Sequence, residues 1–142
     1  MPKIYLKTLA GKVHNRNVDK YLIDWNGKSR SKMQFTVKQF LKKYWIGHCV
    51  YEEFPVFGTK MRVDILNLTK NIAVEVNGRQ HTEFNKFFHN NSREQYRKSI
   101  GRDLDKYKWL NMNGFELLEL EEQDIKKLSI EYIKNTFEIS IV

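Results

Sequence analysis

Residues 61–81 read MRVDILNLTKNIAVEVNGRQH, and their pattern decides the fold. Two apolar, β-branched runs, Met61–Asn67 and Asn71–Val76, flank a short turn and predict adjacent strands. Each run carries one acid: Asp64 between Val63 and Ile65, Glu75 between Val74 and Val76. Successive side chains of a strand point to opposite faces, so these flanks predict strands covered on both sides. An acid in such a run must reach water or be stabilised by positive charge. Two of them on neighbouring strands make a seat for a divalent cation, because Mg²⁺ takes oxygen ligands and is typically held by one or two carboxylates, waters and substrate phosphates. The second strand runs out into Asn77-Gly78-Arg79-Gln80-His81, a glycine-broken turn that brings an amide, a cation and an imidazole to the strand end. The alternative is that both acids are rim charges, Asp64 paired with Arg62 or Lys60 and Glu75 with Arg79, each pair worth about 0–1 kcal/mol.

Composition frames that site. The chain has 142 residues, a one-domain length, with 41% hydrophobic and 13% aromatic residues, which is enough to bury a core. No apolar run approaches the roughly 20 residues of a membrane-spanning helix. The first residues, MPKIYLKTLAGKV, are interrupted by lysines and lack the apolar stretch of a secretory signal, so an intracellular protein is expected. The single cysteine, Cys49, excludes an intrachain disulfide; set between His48 and Val50 it reads as strand core, and it has no second Cys or His at zinc-ligand spacing. A net charge of +8 points to a polyanionic partner, and the aromatic content favours nucleic acid over a membrane surface.

Residues 1–30 read as a basic N-terminal arm of short extended pieces, either tracking phosphates or covering a sheet edge, and residues 31–142 as the main domain. A first helix is expected from Ser31, where Ser31 and Gln34 fit a capping box and Met33, Val37, Phe40, Leu41, Tyr44 and Trp45 form one apolar face. It stops at Gly47, and a strand over His48–Val56 follows, joined by the turn at Phe57–Lys60 to the acid-bearing pair. After a polar-aromatic loop comes a second helix, from Ser92 to a cap at Gly114, with the stripe Tyr96, Ile100, Asp103, Tyr107, Leu110 and a basic outer face of Arg93, Arg97, Lys98, Arg102, Lys106 and Lys108. Phe115–Leu120 reads as another strand, and Ile125, Leu128, Tyr132 and Ile133 mark a last helix. The expected fold is α/β: helix, three strands, helix, strand, helix, around a mixed central sheet.

With Asp64, Glu75 and this element order in place, the chain resembles the PD-(D/E)xK nuclease superfamily. Within it, the chain is most similar to the very-short-patch-repair-like group that includes the EDxHD homing endonucleases. The strand-end signature stands as Glu75-Val76-Asn77-Gly78-Arg79-Gln80-His81, and Asp103-x-x-Lys106 resembles the D-x-x-R/K motif of the following helix. The resemblance covers roughly residues 31–120 and implies a restriction-endonuclease-like core. Two positions depart from the pattern: Asn77 stands where the superfamily has lysine, and Gln34 near the subgroup's first-helix glutamate.

The resemblance implies a divalent-metal-dependent DNA endonuclease. Asp64, Glu75 and the backbone of Val76 would hold Mg²⁺ or Mn²⁺, His81 would act as acid or base, and Asp103 would orient His81. Asn77 and Gln34 complete the expected catalytic set. Arg79, Gln80, Lys106, Arg93, Arg97 and Arg102 would contact DNA, double-stranded or branched. It also implies a phage or mobile-element origin and, with no recognised specificity module, room for a homodimer or a protein partner. The alternative is a non-catalytic or weakly catalytic DNA-binding protein of the same fold.

Overall fold

The computed structural model describes residues 3–77 and 104–142. His81, Asp103, Arg79, Gln80, Arg93, Arg97 and Arg102 lie outside the described residues, as does the aromatic loop after His81. Ahead of the main sheet, strands β1 (Ile4–Lys7) and β2 (Val13–Arg16) form an antiparallel hairpin, followed by a single 3-10 turn at Asp19–Tyr21. Then come α1 (Lys32–Trp45), β3 (Val50–Pro55), β4 (Arg62–Asn67), β5 (Ile72–Asn77), the helical residues 104–112 (α2), β6 (Glu116–Glu121), α3 (Glu122–Ile125) and α4 (Ile130–Phe137). Strands β3 to β6 form one four-stranded sheet in that order, with two antiparallel pairs and β5 parallel to β6. The fold is mixed α/β.

The sheet is covered on both faces, which is why β4 and β5 read as nearly continuous apolar runs. One face packs Val50, Ile65, Ile72, Val74, Val76, Leu118 and Leu120 against Val37, Leu41 and Trp45 of α1 and Ile133 of α4. The chain end belongs to this layer: Ile139 and Ile141 are buried, and Trp45 Nε1 donates to the carbonyl of Ile141 at 2.8 Å. The other face packs Tyr51, Phe54, Val63, Leu66 and Ala73 against Trp109 and Leu110 of α2. The N-terminal hairpin closes this second layer. Ile4 and Leu6 pack on it, Trp109 Nε1 donates to the Lys7 carbonyl at 2.7 Å, and the Lys7 amide donates to Asn113 Oδ1 at 2.8 Å.

Helix α1 begins where Ser31, in extended conformation, accepts the Gln34 amide on its hydroxyl. The rest of the expected capping box is absent, because the Gln34 side chain reaches across to β3. The buried stripe of α1 is Gln34, Val37, Lys38, Leu41 and Trp45, while Met33, Phe40 and Tyr44 are only partly covered. In α2 the buried residues are Trp109 and Leu110, and Gly114 at φ +77° ends the helix. The structure differs from expectation at two further points. The last helix is two short ones, α3 and α4, because Ser129 starts a new helix by accepting the Tyr132 amide. Cys49 is exposed just ahead of β3.

Lys38 is fully buried, and each proton of its ammonium has an acceptor: the carbonyls of Asp24 and Gly27 at 2.9 and 2.8 Å and Glu52 Oε1 at 3.0 Å. The lysine thus pins the Asp24–Gly27 turn between α1 and β3. Gly27 fits there because a Cβ would stand 2.8 Å from Asp24 Oδ2. Lys38→Met removes the charge and leaves Glu52 and two carbonyls without their donor. It is expected to cost about 3–5 kcal/mol of stability in urea denaturation.

Candidate active site

The site forms where the β4–β5 ladder stops. Backbone pairing runs from Asn67–Ile72 to Ile65–Val74, and the next two residues are Asp64 and Glu75. From there side chains replace carbonyls: the Asp64 amide donates to Glu75 Oε2, and the Val76 amide donates to Asp64 Oδ2, both at 2.8 Å. Each acid therefore satisfies a backbone N–H of the opposite strand, which fixes the two carboxylates side by side. What ties Val76 to the pair is its amide. Asp64 is 3% exposed and Glu75 6%, so neither is a rim charge.

Two buried like charges need cations, and two distant elements supply them. Lys106 of α2 places Nζ 2.5 Å from Glu75 Oε1, with its side chain 16% exposed. Arg30, just before α1, places Nη2 3.2 Å from Asp64 Oδ1 and Nε 3.8 Å from Glu53 Oε1. Among the described residues these are the ion-pair partners of the acids; Arg62 and Lys60 are not. Lys106 thus points at the acid pair and does not belong to an outer basic face. Burial, and then the charge of Glu75, push the Asp64 carboxyl up to about 7, against the pull of the Val76 amide and Arg30; Glu53 adds to the rise.

The acids continue across the sheet. Glu53 lies level with Asp64, between the paired residues Glu52–Ile65 and Phe54–Val63, and Glu119 of β6 pairs in register with Glu75. Glu53, Asp64, Glu75 and Glu119 therefore form one row over four strands. Glu53 adopts a left-handed backbone at φ +54°, which breaks the alternation of β3, so that Tyr51 and Phe54 face the same core. Gln34 and Asn77 flank the row. Gln34 donates to Glu52 Oε2 at 2.9 Å and Glu53 Oε1 at 3.2 Å, and its own Oε1 is buried without a partner. Asn77 donates to Glu119 Oε1 at 2.7 Å, and Tyr107 donates to Glu119 Oε2 at 2.5 Å.

Sequence reasoning missed Arg30, Glu53 and Glu119. The available signal was spacing: Glu53, Asp64 and Glu75 follow one another at intervals of eleven residues, which two successive hairpins can bring level. Arg30 left no such trace, because its contact spans 34 residues.

The donor set suits a hard cation: two adjacent buried carboxylates, each with lone pairs left after one N–H and one basic side chain. Among the described residues no group of three or more His, Cys, Asp or Glu side chains forms a preformed cage. Two carboxylates with waters and a substrate phosphate are nevertheless a usual magnesium set.

No family model matches the chain, and no solved structure matches it. It is similar to a protein of Invertebrate iridescent virus 3, "Uncharacterized protein 033L", at 36% identity over 70 residues. That match covers 46% of this chain and 34% of the viral protein, so the likeness spans about a third of the relative's length. No helix among the described residues is long and apolar enough to cross a membrane.

Folded Asp64 keeps its proton to about pH 7, whereas the unfolded residue releases it near 3.9. Between those values the folded state binds more protons, so the Asp64 contribution to stability falls as pH rises through this window. The stability of Asp64→Asn relative to wild type, measured by urea unfolding in EDTA, is therefore expected to grow from pH 4 to pH 7 and level off above. A difference independent of pH would remove the assignment of the raised carboxyl to Asp64.

Proposed function

We propose that this chain is a divalent-metal-dependent endonuclease that hydrolyses DNA phosphodiesters, with Asp64 and Glu75 as ligands for Mg²⁺ or Mn²⁺ in a restriction-endonuclease-like core of the PD-(D/E)xK kind. The observation that carries this reading is the buried, side-by-side Asp64–Glu75 pair at the end of a ladder, with Lys106 at 2.5 Å from Glu75. Folding places two like charges where burial disfavours them, an arrangement common at sites that do chemistry. The order helix, three strands, helix, strand, together with the net charge of +8, supports it.

When bound, the ion neutralises charge developing on the phosphate and lowers the pKa of a coordinated water. The chain's own residues do the rest. Asp64 and Glu75 would hold the cation, and the Val76 amide holds the Asp64 carboxylate in orientation. Lys106 takes the work of the lysine missing at Asn77: its ammonium, beside Glu75, can release to a phosphate oxygen or an attacking water. Asn77, held by Glu119, and Gln34, held by Glu52 and Glu53, line the ends of the acid row. His81, six residues beyond Glu75 in sequence, is the proposed acid or base, with Asp103 orienting it. Arg79, Gln80, Arg93, Arg97 and Arg102 are the proposed DNA contacts, and the viral relative fits a viral or mobile-element source for an intracellular enzyme.

A second reading has its own support. Both acids already carry counter-ions, Arg30 and Lys106, as they would in a DNA-binding protein that cuts nothing.

Supercoiled plasmid incubated with the protein in Mg²⁺ or Mn²⁺ is expected to become open-circular or linear, and to stay intact in EDTA. Asp64→Ala and Glu75→Ala should abolish the conversion. Lys106→Ala should slow it about 10²–10³-fold, the usual cost of one preorganised charge at a transition state. Intact plasmid under all metals, with salt-dependent DNA binding that survives Glu75→Ala, would select the binding protein instead.

A further inference from the structure

Among the described cations near the acid row, Arg30 stands apart. Lys38 is fully buried with three acceptors, and Lys106 is 16% exposed and in close contact with Glu75. Arg30 is 63% exposed, and its contacts are long: 3.2 Å from Nη2 to Asp64 and 3.8 Å from Nε to Glu53. Charge-assisted N–H···O⁻ bonds close to about 2.7–2.9 Å and guanidinium–carboxylate pairs are often bidentate, and neither contact of Arg30 does this. Its backbone is fixed by the helix start, since Ser31 is the N-cap of α1. The side chain thus extends from a fixed base, exposed to solvent beside Asp64 and Glu53.

We infer that Arg30 is a phosphate clamp held in reserve by Asp64 and Glu53: once the charge of Asp64 is engaged or removed, its guanidinium turns to a phosphate of bound DNA. This rests on the DNA-directed reading for its ligand. The guanidinium gives up little by turning away, because its side chain is already 63% exposed while it rests on Asp64. The exchange is chemically apt, because the planar guanidinium fork matches a phosphate as well as a carboxylate. While it rests on Asp64, Arg30 also lowers the cost of two buried acids in the ion-free protein. Arg30 is therefore a DNA-binding residue that couples occupancy of the acid pair to the grip on DNA.

The test needs no metal. Binding of a short fluorescent DNA duplex is measured by anisotropy in EDTA over a range of salt concentrations. The proteins are wild type, Arg30→Ala, Asp64→Asn, the double variant, and Arg30→Lys in the Asp64→Asn background, with thermal melts as folding controls. Asp64→Asn is expected to steepen the salt dependence by about 0.9 in log K against log salt, one additional phosphate contact. The double variant should lose that increment, and Arg30→Lys should restore it. An equal increment with and without Arg30 would show only the loss of an acidic charge, and would overturn the clamp. Metal-dependent plasmid cleavage by wild type combined with that result would leave the nuclease reading standing. No salt-dependent binding by any variant would overturn the clamp, and would overturn the DNA-directed reading as well if the wild type also left plasmid intact in Mg²⁺ and Mn²⁺.

Discussion

Two carboxylates, buried side by side at the end of a strand ladder, set the requirements that the rest of this molecule meets. Asp64 and Glu75 hold β4 to β5 where regular pairing has stopped: Glu75 accepts the Asp64 amide, and Asp64 accepts the Val76 amide. That arrangement satisfies the backbone but concentrates negative charge in a covered layer, where it is unfavourable without nearby cations. The polar side of the fold is organised around relieving it. Helix α2 brings Lys106 to Glu75 on the same element that packs Trp109 and Leu110 into the core. The start of α1 brings Arg30 to Asp64 on the element that packs Val37, Leu41 and Trp45 into the opposite core. The hydrophobic layers thus position the counter-ions.

A second polar network adjoins the site. Lys38, Gln34 and Ser29 converge on Glu52, and the neighbouring Glu53 turns through a left-handed backbone into the same region. A non-glycine residue in that conformation costs on the order of 1–3 kcal/mol and persists because surrounding contacts hold it. Here those contacts are the paired residues on either side of Glu53, and the Gln34 amide and Arg30 on its carboxylate. The result is an acidic row with a firm back wall at Lys38 and a looser front at Arg30.

The contrast between the two lysines shows why identical residue types take different parts. Lys38 meets three fixed acceptors and full burial, so its charge is spent on architecture. Lys106 meets the Glu75 carboxylate at a partly open position, with its side chain 16% exposed. In sequence, Lys38 follows Gln34 by four residues on the buried stripe of α1, a register that polar character concealed. Lys106 follows the same logic on α2: the stripe through Tyr107 and Leu110 was legible, while the neighbouring track through Lys106 and Trp109 was not. Helical periodicity gives a face but leaves its exact centre open by one residue, about 100° of rotation.

Sequence alone determined the local elements and the acid-bearing strands. The strand pair over residues 61–77, helix α1 with its Ser31 start, the turn between β3 and β4 and the stop at Gly114 all follow from side-chain period, capping and turn chemistry, which act over a few residues. The two acids in β-branched runs also announced themselves, since burial of their neighbours implied their own. Tertiary structure alone decided what answers those acids. Arg30 reaches Asp64 across 34 residues and Lys106 reaches Glu75 across 31, while Asn77 reaches Glu119 across 42. Such contacts depend on how layers stack, and a charge carries no mark in the sequence of which distant opposite charge it will meet.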